Sequence, residues 1–248
     1  MEILTEIGHE VNEKNFGRII SCVESFGTKY NPSQSDLKVA NLKITRTAMR
    51  IKLNSLYAVL KPWVNAVNER VVLFVSLEKL IKRVVTVIEQ CDTPEETVLD
   101  LKATTSILAG ICQILNMELI PTDPTQVNDK SILRIADLQV HYNNCIANFE
   151  KLIALLSGEA RYKTIDTDLT VSALTSFLSG MKEKNESVMK TYLIVESAVK
   201  ERDDLFYHNH IKSGAALAVN VRRYVKNVFG GNSPQYKQIY QYKYTILS

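Results

Sequence analysis

Apolar positions recur at steps of three and four over most of this chain, and that period predicts helices. The longest run takes in Val39, Leu42, Met49, Leu53, Leu56, Leu60, Trp63, Val67, Phe74, Leu77, Ile81, Val84 and Ile88, with only Arg46 and Arg70 interrupting. A mean step of 3.5 held over so many layers indicates a long helix packed in coiled-coil fashion. From Asp36 to Gln90 such a helix is roughly 80 Å long. Pro62 falls inside it, but the seam keeps its phase across the proline, which predicts a kink rather than a break.

The stretch from Tyr30 to Val75 is written again from Tyr162 to Tyr207. At an offset of 132 the two share 14 identities in 46 gap-free positions, among them Tyr30/Tyr162, Lys52/Lys184, Glu69/Glu201 and Arg70/Arg202. Self-similarity at a fixed period indicates one supersecondary unit used more than once. The offset extends upstream, where Ile3/Ile135, His9/His141, Asn12/Asn144 and Ser25/Ser157 also match.

Each copy therefore predicts a shorter helix followed by a long one. The first shorter helix spans 2–27, with Ile3, Ile7, Val11, Ile19, Ile20, Val23 and Phe26 as its apolar stripe and Gly27 as its close. Its counterpart spans 126–157, with Ile132, Ile135, Leu138, Tyr142, Ile146, Phe149, Ile153 and Leu156 facing inward. The long helices should be capped by Ser35 or Asp36 and by Thr167 or Asp168. The second carries Val171, Leu174, Leu178, Met181, Val188, Tyr192, Val195, Val199 and Phe206, weakens near Lys212 to Gly214, and resumes through Val221, Val225 and Val228 to Gly230-Gly231. Between the copies, Thr93-Pro94-Glu95-Glu96 opens a further helix running to about Met117. Tyr236, Tyr240, Tyr242, Tyr244 and Ile246 have a period of two, which predicts an extended tail.

The expected fold is thus an all-α, elongated antiparallel bundle with long coiled-coil-like helices. It is internally duplicated, with residues 1–120 and 121–232 as the halves and 233–248 as the tail.

Composition removes several function classes. Thirty basic and 27 acidic residues are mixed along the 248, without a block of like charge, so no nucleic-acid partner is implied. Cys22, Cys91, Cys112 and Cys145 show no metal or redox spacing, and free thiols in a reducing compartment follow. The N-terminal stretch shows no export signal, so a cytoplasmic location is expected. No uncharged run reaches the length of a spanning helix. The nearest is Ala103 to Met117.

With the repeat and the ending in view, the chain resembles a family of uncharacterised bacterial all-helical proteins. The residues that carry the resemblance are Thr28-Lys29-Tyr30-Asn31-Pro32, Glu201 to Tyr207, and Tyr224 to Gln238, which holds the motif Val-Phe-Gly-x-x-Ser-Pro-Gln-Tyr-Lys-Gln. The resemblance implies a fold of long helices and no activity, cofactor or partner. Members of the family are basic in the helix matching Ala103 to Met117, whereas this chain is uncharged there.

Candidate chemistry is sparse. His9 and His141 match across the repeat, and Glu201, Asp204 and His208 share a helix face, but Glu6-Ile7-Gly8-His9 is the one Glu-x-x-His spacing in the sequence, where a bundle metal site requires two. Packing explains the first pair better than metal binding. His210 has no patterned partner. Gly230-Gly231 follows a helix rather than opening one and reads as a C-cap.

Glu69, Arg70, Glu201 and Arg202 form a structural polar seam, where a charge within a core layer fixes register. Leucine at Arg70 or Arg202 should leave the protein folded. Tyr236, Tyr240, Tyr242 and Tyr244 are expected to dock the tail onto the chain itself or a protein partner.

No catalytic, metal or cofactor-binding residue is predicted, and no small-molecule substrate. The expectation is a non-enzymatic scaffold or protein-protein interaction protein that engages a partner or itself. The alternative is a membrane-active, pore-forming-like bundle inserting Ala103 to Met117.

Overall fold

The computed structural model describes residues 5–115, 119–208 and 212–246, and among them the chain is all-α, with no strand. Eight α-helices follow in order: α1 Thr5–Ser25, α2 Val39–Gln90, α3 Glu95–Ile114, α4 Asp129–Asp137, α5 Gln139–Gly158, α6 Val171–Phe206, α7 Gly214–Phe229 and α8 Pro234–Tyr240. They form two compact units, and each unit draws on both halves of the sequence. Unit 1 holds residues 1–61, 123–129 and 194–248; unit 2 holds 62–122 and 130–193. The long helix α2 thus contributes 39–61 to one unit and 62–90 to the other, and it is uninterrupted at Pro62.

In unit 1, α1 lies antiparallel to the first part of α2: Glu24 pairs with Lys43, and Glu13 with Arg46 and Arg50. Phe16, Ile19, Ile20 and Val23 of α1 meet Leu42, Met49 and Leu53 of α2, Phe206 of α6, and Leu217, Val221 and Val225 of α7. Each such fully buried side chain contributes about 1.5–3 kcal/mol.

The inward face of α1 follows the predicted stripe at Ile19, Ile20 and Val23 but departs from it in the first turns. Val11 is 40 % exposed, while His9, Asn12 and Glu13 are buried; Ile3 and the side chain of Ile7 lie outside the described residues. Burying this polar face is possible because each of its groups finds a partner. Glu13 is bound by Arg46 and Arg50, Asn12 by Tyr207 and Thr245, and His9 by Asp129 and Tyr207.

In unit 2, α3 packs against α5, burying Leu101, Thr104, Thr105, Leu108 and Cys112. The second part of α2 places Trp63, Val67, Phe74, Leu77, Ile81, Val84 and Ile88 in the core with Tyr142, Phe149, Leu174 and Met181. The α5 and α6 helices run antiparallel, with Glu150 paired to Lys182 and Asn143 bonded to Asn185.

Four local expectations are corrected. Ser35–Leu37 and Thr167–Leu169 are 3-10 turns preceding the long helices, so neither Ser35, Asp36, Thr167 nor Asp168 caps them. Instead Thr170 Oγ1 accepts from Ala173 N at 3.2 Å. Residues 126–157 are not one helix, because Leu138 separates α4 from α5, although Leu138 N still donates to Arg134 O and Leu138 O still accepts from Tyr142 N. The α3 helix ends at Ile114; Asn116 and Met117 lie outside the described residues.

The tail is the fourth correction: Pro234–Tyr240 is helical rather than extended. Ser233 accepts from Tyr236 N at 3.1 Å and Pro234 sits at the first helical position, a start signal that outweighs the tyrosine alternation. Between α6 and α7 the helix stops at Phe206 and restarts at Gly214, capped by Ser213. Gly230 follows α7 with φ +89°, the positive-φ backbone that glycine tolerates.

Candidate functional site: two buried arginine clusters

Arg70 and Arg202 are both 0 % exposed. They differ in what surrounds them. Arg202, on the part of α6 in unit 1, bonds Asp129 at both Oδ1 (3.1 Å) and Oδ2 (2.9 Å), and its Nε reaches Asp203 at 2.9 Å. Asp129, the first residue of α4, also meets His9 Nε2 at 3.2 Å. The other His9 nitrogen, Nδ1, lies 2.6 Å from the Tyr207 hydroxyl, which accepts from Asn12 at 3.1 Å. Burial works to raise the Asp129 carboxyl, but the His9 hydrogen bond and the Arg202 charge together hold it down at about 2. Burial pushes the Tyr207 hydroxyl up. Phe206 packs on the imidazole and Tyr244 on the phenol of this chain, while the Asp129 side chain keeps 33 % of its surface exposed.

Among the described residues, Arg70 in unit 2 bonds no carboxylate. Its Nη1 donates to Gln139 Oε1 at 2.7 Å and Asn185 Oδ1 at 3.0 Å, and its plane stacks 3.6 Å over the Tyr142 ring. Gln139, Asn143 and Asn185 bond one another at 2.9–3.0 Å. Burial, offset in part by Tyr142, pushes Arg70 down to about 10. Its Nε and Nη2 have no acceptor among the described residues.

The acidic members of the predicted seam are elsewhere. Glu69 and Glu201 have side chains 58 % and 54 % exposed and pair with Lys184 at 2.9 Å and Lys52 at 2.6 Å, respectively. A seam of four charges is therefore two buried cations and two surface ion pairs. Arg46, the other interruption of the run, is also exposed and reaches Glu13.

The tail tyrosines separate into two pairs. Tyr244 donates to Phe206 O at 3.1 Å and packs on Phe16 and Tyr207, while Tyr242 accepts from Arg222 through its carbonyl and lies under Arg18. Asn12 bonds Thr245 at both backbone atoms and Asn15 bonds Lys243 O, so residues 243–245 lie along α1. Tyr236 and Tyr240 stack at 5.6 Å, and Tyr240 is 59 % exposed.

Of the histidine candidates, His9 is committed to the Asp129 cluster, His141 lies in unit 2, and His208 pairs with Asp204 at 3.0 Å in solvent. His210 lies outside the described residues. Among the described residues no three His, Cys, Asp or Glu side chains are grouped to hold a metal. All four cysteines are free, and Cys112 of α3 interacts with Cys145 of α5.

Sequence reasoning found both arginines but none of Asp129, Gln139, Tyr142 or Asn185 as their partners. The available signal was the charge itself, since a cation on a seam requires a polar layer around it. Among the described residues no helix is long and apolar enough to cross a membrane. Comparison with protein-family models, with curated proteins and with solved structures returned no match.

Proposed function

We propose that the chain is a non-enzymatic helical interaction protein and that the outward face of α3 is its contact surface. The observation that carries this reading is an apolar face on a helix already packed on its other side. Leu99, Ile107 and Ile114 are 60 %, 51 % and 52 % exposed, Ala103 and Gly110 lie between them, and no charged residue occurs from 103 to 114. Large side chains left in water on one face of a helix mark a surface kept for another molecule.

The reading includes a duplicated, coiled-coil-like origin for the long helices. It is supported by the recurrence of local contacts at the 132-residue offset. Tyr30 donates to Leu37 O at 2.8 Å and Tyr162 to Leu169 O at 2.7 Å, and α2 and α6 begin at Val39 and Val171. The reading also places the chain in the cytoplasm.

Ile107→Glu/Ile114→Glu tests it. The variant should keep its circular dichroism and melting behaviour while losing any concentration-dependent association in sedimentation and any partner retained by the wild-type chain from its native cells. Unchanged association and retention overturn the reading. Dye release from liposomes by the wild-type chain would instead favour membrane activity.

A further inference from the structure

The near-even charge of the whole chain conceals an uneven end. Residues 205–248 carry six Lys or Arg and no Asp or Glu. Lys212 faces Asp36 at 3.7 Å, but the other five, and Arg18 of α1, pair with no carboxylate among the described residues. The α1 acids Glu13 and Glu24 are engaged toward α2, by Arg46, Arg50 and Lys43.

These cations gather on one face of unit 1. On α7, Leu217, Ala218, Val221 and Val225 are buried, which turns Val219, Arg223 and Lys226 outward at i, i+4 and i+7, and all three are exposed. Arg222 stands at the edge of that face. Its Nη2 bonds the Tyr242 carbonyl, and it is electrostatically linked to Tyr236 and Tyr240 of α8. Arg18 lies 5.6 Å over the Tyr242 ring, so α1, α7, α8 and the tail meet here. Lys237 and Lys243, next in sequence to Tyr236 and Tyr242, are exposed as well.

Apolar and aromatic groups stand in water among the charges: Val219, Tyr240 and Ile246 are 49 %, 59 % and 67 % exposed. That mixture matches the headgroup layer of a bilayer. A phenol ring sits there with its hydroxyl still wet, while Lys and Arg reach the anionic lipids. Single-stranded nucleic acid is held instead by bases stacked on open rings. Here Tyr236 and Tyr240 stack on each other at 5.6 Å and Arg18 covers Tyr242.

We propose that this face of unit 1 docks on the surface of an anionic bilayer, with its six cations at the lipid headgroups and Tyr240 and Ile246 at the acyl boundary. The contact is peripheral, since among the described residues no helix is long and apolar enough to cross a membrane. It does not depend on the α3 face.

Co-sedimentation of the full chain with vesicles tests it, using phosphatidylcholine alone and phosphatidylcholine with about 30 % phosphatidylserine. Binding should be at least about tenfold stronger to the anionic vesicles, and should fall away between roughly 0.1 M and 0.5 M salt. Arg223→Gln/Lys226→Gln removes two exposed charges from the face and should weaken binding roughly 25-fold, at about fivefold per cation. Lys130→Gln/Lys151→Gln removes the same charge from exposed positions of unit 2 and should bind as wild type does. Ile107→Glu/Ile114→Glu should also bind normally, which separates this surface from the one on α3. Equal binding to both vesicles, or to neither, overturns the proposal, and so does equal weakening by the two glutamine pairs. Retention on a single-stranded oligonucleotide or on polyglutamate without vesicle binding overturns it in favour of those partners. Release of entrapped dye overturns peripheral docking in favour of insertion.

Discussion

The hydroxyl of Tyr244 donates to the carbonyl of Phe206 at 3.1 Å. Phe206 is the last residue of α6, so the tail supplies a donor to one of the carbonyls that a helix end leaves unpaired. The Tyr244 oxygen also occupies the space where a Cβ on Gly214 would stand, 2.5 Å away, and Gly214 opens α7. The C-terminal segment is therefore part of the unit 1 core.

Truncating the tail side chains should separate core from surface. Ile239 is 0 % exposed against α1 and α7, so Ile239→Ala is expected to lower stability by about 2–4 kcal/mol. Tyr240→Ala, one residue on, should stay within about 0.5 kcal/mol of wild type. Urea unfolding of the two variants reads the difference, and equal midpoints would show a tail that is not packed.

The two buried arginines should answer substitution with opposite signs. Arg70→Met replaces an unpaired cation with apolar volume and is expected to raise stability by about 1–3 kcal/mol. Arg202→Met leaves Asp129 and Asp203 without their cation, a loss of about 3 kcal/mol. Denaturant midpoints of the pair give the signs directly, and a shared sign would mean that the difference in partners does not govern stability.

Acid should weaken unit 1 through Asp129. Its folded-state pKa of about 2 lies below the ordinary carboxylate value, so the unfolded chain binds the proton more readily. The resulting stabilisation is complete above about pH 4 and is lost as pH falls toward 2. With solvent screening of the third of the side chain that is exposed, it is worth about 1–2 kcal/mol. Asp129→Asn should be less stable than wild type at neutral pH, and the gap should close by pH 2. A gap that is constant with pH would remove the carboxylate from the account.

Much of the helical framework was legible in the chain. The run from Leu42 to Ile88 was read from its 3.5 spacing, and nearly every apolar position in it is buried. Arg46 and Arg70 interrupt that run identically in sequence, yet one reaches out to Glu13 and the other is sealed beneath Tyr142. The first turns of α1 depart from the predicted stripe because the positions buried there are His9, Asn12 and Glu13, which no apolar pattern selects. Their recurrence as His9/His141 and Asn12/Asn144 was the available sign.

What the sequence determined by itself is the all-α class and the position of the long seam, since helical period and apolar burial act between residues a few positions apart. The tertiary structure decided which polar groups go inside. Asp129 reaches Arg202 across 73 residues, Gln139 reaches Arg70 across 69, and Thr245 reaches Asn12 across 233. A buried charge or amide is tolerated only where the folded chain delivers its partner, and no local pattern records a partner that far away.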